Sequence, residues 1–323
     1  MPQLSDQPPQ NIQLELDALN QSLNQTIPQK QPGHNLLIAT WNIRSFASLT
    51  RKWTASQNDS PKRDLRGLRA ICDIVSRFDV IAIQEVKGDL RALRDMMNYL
   101  GDNWAFLMTD ITLGDAGNDE RMAFVFDITR IKPSGLACEL VVPPEWLTEI
   151  PENALQRQFA RTPYAVSFKA GNATFILVTL HIDYGKSTDE RKQELKAIAR
   201  WMKEWAVRET KWHHNLLALG DFNIERQGDD LWQAFTSTGL SVPDDIQAVT
   251  RSIFDGSEDS KKKFYDQIAW FTTASGSIAL NMQYEKGGHF DFLSFVYADT
   301  GFNKTSISYR VSDHYPLWAE FLI

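Results

Sequence analysis

Residues 216–223 read LLALGDFN, and this short stretch illustrates how the whole chain is organised. Its four apolar residues, Leu216–Leu219, are typical of a buried strand. The polar residues Asp221 and Asn223 follow where that strand ends. Because a rigid sheet holds side chains at its strand ends to within about 0.5 Å, the pattern predicts a strand that presents a polar site.

The same pattern recurs along the chain, where other apolar runs border on acidic, amide or imidazole residues. These are Asn42 after Leu36–Trp41, Glu85 after Val80–Gln84, His181 after Thr174–Leu180, Asp266 before Gln267–Phe271, and Asp313 with His314 before Pro316–Leu322. Taken singly, each has an ordinary explanation as a turn residue, a solvated carboxylate or a structural histidine. Together they supply the oxygen ligands that suit Mg²⁺ and the imidazole–carboxylate pairs that suit acid–base catalysis.

Strand and helix signals alternate from Leu36 to the C-terminus. Further strand-like runs are Met122–Phe126, Tyr164–Phe168 and Phe292–Tyr297, and helical periodicity covers Leu65–Arg77, Asp89–Leu100 and Asp189–Arg208. The alternation predicts one layered α/β domain over residues 36–323. Residues 1–35, rich in Gln, Asn and Pro, predict a flexible N-terminal segment, with a short amphipathic helix over Ile12–Leu23 as the alternative.

Composition narrows the class of protein. The chain has 323 residues, a net charge of −7 and only two cysteines, so neither a disulfide framework nor a broadly basic nucleic-acid-binding face is expected. No apolar run approaches the roughly 20 residues that cross a bilayer, and Met1 begins no signal peptide. These features predict a soluble, cytoplasmic protein without a membrane partner, and no obligate protein partner is evident.

Eight stretches carry a resemblance to a known family. In chain order they are TWNIRSFA around Asn42, IQEVKGDL around Glu85, NDERMAFVF around Glu120, FARTPYAV around Arg161, TLHI around His181, GDFN at Gly220–Asn223, FYDQI around Asp266, and SDHYP at Ser312–Pro316. Their order and types resemble the motifs of deoxyribonuclease I and the endonuclease/exonuclease/phosphatase superfamily. The resemblance spans Leu36 to the C-terminus and is closest to the deoxyribonuclease I branch.

The resemblance implies a fold and a metal centre. The fold is a four-layer α/β sandwich, in which two packed mixed β-sheets are flanked by helices. Glu85 would bind the catalytic divalent cation, Mg²⁺ or alternatively Mn²⁺, with Asn42 and Asp313 completing its surroundings. Asp221 and Asn223 would position the nucleophilic water and the scissile phosphate.

Two imidazoles complete the machinery that the resemblance implies. His181 would pair with Glu120, and His314 with Asp266. Which histidine acts as base and which as acid stays open. The expected chemistry is in-line attack by water, without a covalent intermediate, to give 5′-phosphate and 3′-hydroxyl products.

Substrate contacts are also predicted. Arg44 and Arg161 match arginines that bind backbone phosphates in the deoxyribonuclease branch, although a surface salt bridge is the ordinary alternative for each. Lys87 and Asn118 stand where deoxyribonuclease I presents an arginine and a tyrosine to the minor groove, so contacts with duplex DNA are expected to be weaker. Lys261–Lys263 either extends this surface or forms a solvated loop.

The predicted function is therefore a metal-dependent DNA endonuclease. The alternative is a phosphatase or phosphodiesterase that acts on a small or lipid head-group phosphate. Against it, FYDQI lacks the Pro-x-x-x-Asp-Arg pattern of inositol-phosphate enzymes, and no apolar membrane-docking hairpin is evident. A third class, a catalytically inactive binding module, conflicts with the complete set of polar residues at the strand ends.

Overall fold

The computed structural model describes residues 1–111, 119–140, 161–182, 184, 187–207, 215–256, 262–271 and 280–323. These residues form twelve strands and seven helices. The strands are β1 Asn35–Phe46, β2 Val80–Lys87, β3 Trp104–Met108, β4 Glu120–Asp127, β5 Lys132–Glu139, β6 Tyr164–Ala170, β7 Ala173–His181, β8 Leu216–Asp221, β9 Leu240–Ser241, β10 Asp266–Phe271, β11 Gln283–His289 and β12 Leu317–Leu322. The helices are α1 Gln10–Thr26, α2 Leu65–Val75, α3 Arg91–Leu100, α4 Thr188–Val207, α5 Asp230–Thr236, α6 Asp244–Gln247 and α7 Lys304–Ser308.

The strands form two six-stranded sheets. The first has the order β11-β12-β1-β2-β4-β3, and the second has the order β5-β6-β7-β8-β10-β9. The pairs β1–β2 and β7–β8 are parallel, whereas their neighbours pair antiparallel, so both sheets are mixed. Each parallel pair lies at the centre of its sheet.

The alternation of side chains along β1 explains why the sheets stack. Leu36 and Ile38 point into a core that also contains the inner face of the second sheet. Leu37, Ala39 and Trp41 point the other way, into a second core that includes the helices. Because successive strand residues point to opposite faces, a continuous apolar run such as Leu36–Ala39 must be covered on both sides.

Helices cover the outer face of each sheet. Helices α1, α2 and α3 pack on the first sheet, and α4 and α5 pack on the second through residues such as Leu195, Met202 and Phe235. The predicted four-layer α/β sandwich is confirmed. Within the ranges that the structure describes, none of the helices has the length and apolarity needed to cross a membrane.

Residues 1–35 differ from the sequence-based expectation of a flexible segment. Helix α1 buries Ile12, Leu16, Leu19 and Leu23 against the second core. Their spacing of three or four residues forms one apolar stripe along the helix. The many Gln and Asn residues between them make the average composition polar, so composition alone does not reveal the stripe. The expectation was wrong because a narrow stripe suffices for docking on α2, and the helical alternative describes this segment.

The prediction of a strand at Phe292–Tyr297 is also wrong. Phe292, Val296 and Tyr297 are buried, but the segment consists of turns. The Asp291 carboxylate accepts a hydrogen bond from the Leu293 amide at 2.9 Å, which holds the chain in a turn. Burial of these three side chains, and not membership of a sheet, explains the apolar run.

Candidate active site

The candidate active site lies where three strands of the second sheet place polar residues side by side. His181 at the end of β7 is the register partner of Asp221 on β8, and Asp221 is the partner of Asp266 on β10. Gly220 permits this close approach, because a Cβ there would lie 2.0 Å from the Leu180 carbonyl oxygen. Its φ of 139° also disfavours any other residue.

Left-handed backbone conformations occur at three positions of the site. Ser45, Glu85 and Asn223 have φ values of 46°, 63° and 48°. At Ser45 and Glu85 the register of the first sheet shifts, between Asn42 and Phe46 and beyond Ile83. Such irregularities redirect a side chain that a regular strand would bury, and non-glycine residues in this conformation are frequent at functional sites.

His314 and Asp266 form a buried pair. The His314 Nδ1 atom lies 2.7 Å from Asp266 Oδ2. Burial raises the pKa of the Asp266 carboxyl to about 6, although the neighbouring His314 opposes that rise. Burial also disfavours the charged His314 ring, but Asp266, Asp221 and Asp313 outweigh it and raise the pKa of the ring well above its ordinary range. The pair therefore retains a proton at neutral pH.

The second pair, His181 with Glu120, includes two further cations. His181 Nδ1 lies 3.1 Å from Glu120 Oε2, and Arg161 Nε lies 2.8 Å from the same oxygen. Lys87 Nζ contacts Glu120 Oε1 at 2.7 Å. Burial opposes ionisation of Glu120, but the hydrogen bond with His181 and the charges of His181 and Arg161 lower its carboxyl pKa to about 2. Glu120 is thus a carboxylate at neutral pH.

Both imidazoles approach one oxygen of Asp221. The Nε2 atoms of His181 and His314 lie 3.7 and 4.0 Å from Asp221 Oδ2. The Asn42 Nδ2 atom donates to the same oxygen at 3.0 Å. The other Asp221 oxygen accepts from the Asn223 backbone amide at 2.9 Å. A group bound beside Asp221 would therefore be within reach of two acid–base side chains.

Oxygen ligands for a cation lie next to this point. Asn42 Nδ2 also donates to Glu85 Oε1 at 3.0 Å, so a single amide group links the carboxylates of Glu85 and Asp221. The Asn42 Oδ1 atom is buried and has no hydrogen-bond partner among the described residues. A side-chain amide that lies between two carboxylates and has an unpartnered oxygen of its own fits a hard cation, because amide and carboxylate oxygens are the ligands that such a cation prefers.

Asp313 and a second possible metal-binding group, formed by Asp221, Asp266 and His314, lie close by. Asp313 is partly exposed, and its Oδ2 lies 3.5 Å from Arg44 Nη1. Asp221, Asp266 and His314 each offer one ligand atom within 4.8 Å of the others, which is compact enough to hold a metal ion. In this second group the Asp266–His314 hydrogen bond already occupies one ligand atom of each residue. Glu85 with Asn42 is therefore the better cation site on donor chemistry.

The residues predicted to bind substrate do not lie together: Lys87 and Arg161 lie at Glu120, and Arg44 lies at Asp313. Lys87 and Arg161 contact Glu120, so they position the His181 pair, and a direct role in substrate binding stays a prediction. Arg44 lies near Asp313, with Nη1 2.8 Å from Ser308 Oγ and its guanidinium 4.0 Å from the Tyr309 ring centroid. Asn118 and Lys261 lie outside the described residues.

Two supporting residues were not predicted from the sequence. Ser312 Oγ donates to the Asn42 carbonyl at 2.6 Å and accepts from the His314 amide at 3.0 Å, which ties β1 to the segment that precedes β12 in the first sheet. Arg63 is buried and donates to the carbonyls of Arg44 and Ser45 at 2.6 and 2.8 Å. Ser312 belongs to the SDHYP motif, which could have indicated it. Arg63 belongs to no motif.

The two-sheet sandwich and the paired histidines at its strand ends define a phosphoesterase class. The family model described as "Endonuclease/Exonuclease/phosphatase family" matches residues 39–314. The chain therefore belongs to this family, whose members are metal-dependent hydrolases of phosphoester bonds.

The individual relatives share less than a third of their aligned residues with this chain. A protein named deoxyribonuclease from Thioalkalivibrio sp. (strain K90mix) is 28% identical over 200 residues, which is 60% of this chain and 48% of that protein. The chain thus matches about half the length of this curated relative. A mannosyl-6-phosphatase from Bacteroides thetaiotaomicron VPI-5482 is 16% identical, with a TM-score of 0.55 and coverage of 89% of this chain and 100% of that chain.

A third similar structure is D. rerio TDP2 complexed with single-strand DNA product. It is 14% identical to this chain, with a TM-score of 0.55. The match covers 89% of this chain and 98% of the TDP2 chain. At such low identity, the two structural relatives demonstrate a shared fold alone.

Proposed function

We propose that this protein is a Mg²⁺-dependent nuclease that hydrolyses phosphodiester bonds in DNA. The observation that carries the proposal is the approach of His181 and His314 to one oxygen of Asp221, at 3.7 and 4.0 Å. A phosphodiester bound there is flanked by two imidazoles, each with its own carboxylate partner. Hydrolysis needs one proton acceptor for water and one donor for the leaving oxygen.

The side chains of the site have different roles in hydrolysis. Glu120 and Asp266 hold the ring orientations of His181 and His314 through Nδ1, which leaves each Nε2 for proton transfer. One ring accepts a proton from the attacking water, and the other donates a proton to the 3′ oxygen as the P–O bond breaks. The products are a 5′-phosphate and a 3′-hydroxyl. Asp221, held by Asn42 and Asn223, orients the water and the phosphate.

Glu85 and Asn42, with Asp313 nearby, would hold the divalent cation. Mg²⁺ is favoured over Zn²⁺ because carboxylate and amide oxygens are the hard ligands that Mg²⁺ prefers, and Mn²⁺ accepts the same ligands. When bound, it supplies positive charge that offsets the negative charge developing on the phosphate oxygens.

The preference for DNA rests on relatives. The deoxyribonuclease is 28% identical to this chain over 200 residues, and TDP2 has been crystallised with single-strand DNA product. The mannosyl-6-phosphatase supports the alternative of a small phosphate substrate. Asn118, the residue bearing most directly on duplex recognition, lies outside the described residues.

A cleavage assay with matched histidine variants tests the proposal. The metal-stripped protein should leave a supercoiled plasmid intact, and Mg²⁺ should restore nicking. His181→Ala and His314→Ala should each lower the turnover rate by roughly 10²–10⁴-fold, and the double variant should lose much less than the product of both losses. His34→Ala, at an exposed histidine outside the site, is the control.

Two outcomes contradict the proposal. Full plasmid cleavage in EDTA would exclude the metal. Hydrolysis of a phosphate monoester such as mannose 6-phosphate, without cleavage of DNA, would favour the alternative substrate class.

A further inference from the structure

A cleft of about 610 Å³ adjoins the candidate active site. Its walls come from three separate parts of the chain, namely Arg44, Ser45 and residues 47–50, then residues 60–63 with Arg91, and Tyr309. Its volume lies within the range of about 300–1,000 Å³ that is typical of small-molecule sites. Arg44 and Ser45 line it, and the Ser45 amide donates to Glu85 at 2.8 Å, so the cleft and the candidate cation site share a wall.

The charge of the cleft differs from that of the whole molecule. Its twelve lining residues, all within the described ranges, include the basic Arg44, Lys62, Arg63 and Arg91 and no acidic residue, whereas the chain carries a net charge of −7. The Lys62 ammonium group donates to the backbone carbonyls of Gln57 and Asp59. Neutral carbonyls do not cancel its charge, so Lys62 can attract an anion into the cleft.

Tyr309 offers an aromatic surface beside these cations. Its ring is covered by the Arg44 guanidinium at 4.0 Å, yet the residue is 48% exposed. Arg44 is itself held by Ser308 and Asp313, which fixes the stacked arrangement. An exposed ring next to cations is the combination by which proteins bind bases and phosphates of single strands.

We infer that the cleft binds an unpaired segment of the DNA strand next to the scissile phosphate. A base stacks on Tyr309, and Lys62 contacts a backbone phosphate. Bases within a duplex are stacked on one another and cannot place a face on Tyr309 without leaving the helix. The cleft therefore favours single-stranded or frayed DNA. This inference rests on the proposed function and specifies its substrate form.

Binding measurements on the full chain test the inference. The dissociation constants of a labelled single strand and of a long blunt-ended duplex are measured in EDTA by fluorescence anisotropy. Tyr309→Ala should weaken binding of the single strand by roughly 5- to 100-fold, as expected for loss of one base stack. Tyr309→Phe, which keeps the ring, should restore most of that affinity. Lys62→Gln should weaken binding by about threefold, in line with loss of one phosphate contact.

Lys132→Gln is the matched control, since Lys132 is exposed at the first position of β5 and lies outside the cleft. Equal affinities of Tyr309→Ala and Lys132→Gln for the single strand would overturn the inference. If Tyr309→Ala lost affinity equally for the blunt-ended duplex, the preference for unpaired bases would be overturned. If the wild-type protein neither binds nor cleaves DNA, the proposed function itself fails. Measurements on the wild-type protein therefore distinguish failure of the proposed function from failure of this inference. Urea unfolding verifies that each variant is folded.

Discussion

Glu120 is contacted by three basic side chains, and this arrangement determines what it can do. Lys87 and Arg161 lie 2.7 and 2.8 Å from its oxygens, and His181 lies 3.1 Å away. Because two permanent cations already balance the carboxylate, we expect Glu120 mainly to orient the His181 ring. Removing the carboxylate would leave those cations without their partner in a largely buried place.

The pKa of Glu120 gives a prediction about acid stability. It falls from an ordinary 4.5 to about 2, so the unfolded chain binds more protons between these pH values. The stabilisation is present in full above pH 4.5 and is lost as the pH falls toward 2. Glu120→Gln should lower the free energy of unfolding by ~3 kcal/mol near neutral pH, with the difference narrowing in acid.

Urea unfolding across that pH window measures the difference. Glu285→Gln, at an exposed glutamate on β11, is the control and should follow the wild-type protein throughout. If the free energies of unfolding of the wild-type protein and Glu120→Gln differ by a constant amount down to pH 3, the ionised carboxylate is not the source of the stability.

At the scale of elements, α1 joins the N-terminal residues to the sandwich. Its buried leucines pack with α2, and Glu15 forms an ion pair with Arg66. Arg66 also contacts Asp299 at 2.6 Å, so the helix is linked to the turns that precede α7. These contacts indicate that α1 contributes to the stability of the first sheet and its helices.

Two substitutions on α1 test that contribution. Leu19 is fully buried, whereas Leu14 on the same helix is 63% exposed. Leu19→Ala should lower the free energy of unfolding by about 2–5 kcal/mol, because it removes apolar contacts and leaves a cavity. Leu14→Ala changes helix propensity equally and should have little effect. Similar unfolding midpoints for the two variants in urea would show that α1 does not dock in solution.

For the whole molecule, the acidic net charge confines attraction for DNA to a small area. Repulsion from the rest of the surface opposes tight non-specific binding, and Lys62 acts locally together with Arg44 and Arg91, which are ion-paired with Asp313 and Asp89. This balance suits an enzyme that must release a cleaved polyanion.

The salt dependence of binding measures how many cations take part. If three cleft cations contact phosphates, the logarithm of the association constant for a single strand should fall with log salt at a slope of about −2. Lys62→Gln should make this slope roughly 0.7 shallower, and Lys132→Gln should leave it unchanged. A much steeper slope would indicate a broader basic interface than the cleft provides.

Local pattern was sufficient to predict much of this protein. Apolar runs of the right length predicted nine strands, of which eight are present, because burial on both faces requires continuous apolar sequence. His181, Asp221 and Asp266 lie at strand ends as predicted. The prediction was wrong for Asn42 and Glu85, because β1 and β2 continue past them through register shifts that the local pattern does not reveal. The less regular β3, β5, β9 and β11 gave too weak a pattern to be predicted.

Other features depend on contacts between distant parts of the chain. The meeting of Lys87 and Arg161 at Glu120 arises from the arrangement of separate strands and loops, which no local pattern encodes. The cleft likewise joins segments around Arg44, Arg63 and Tyr309. Sequence determined which residues are polar and where most strands lie, because these follow from local burial. Only the tertiary structure decided which of them meet, because strand register and packing place residues far apart in the chain within a few ångströms.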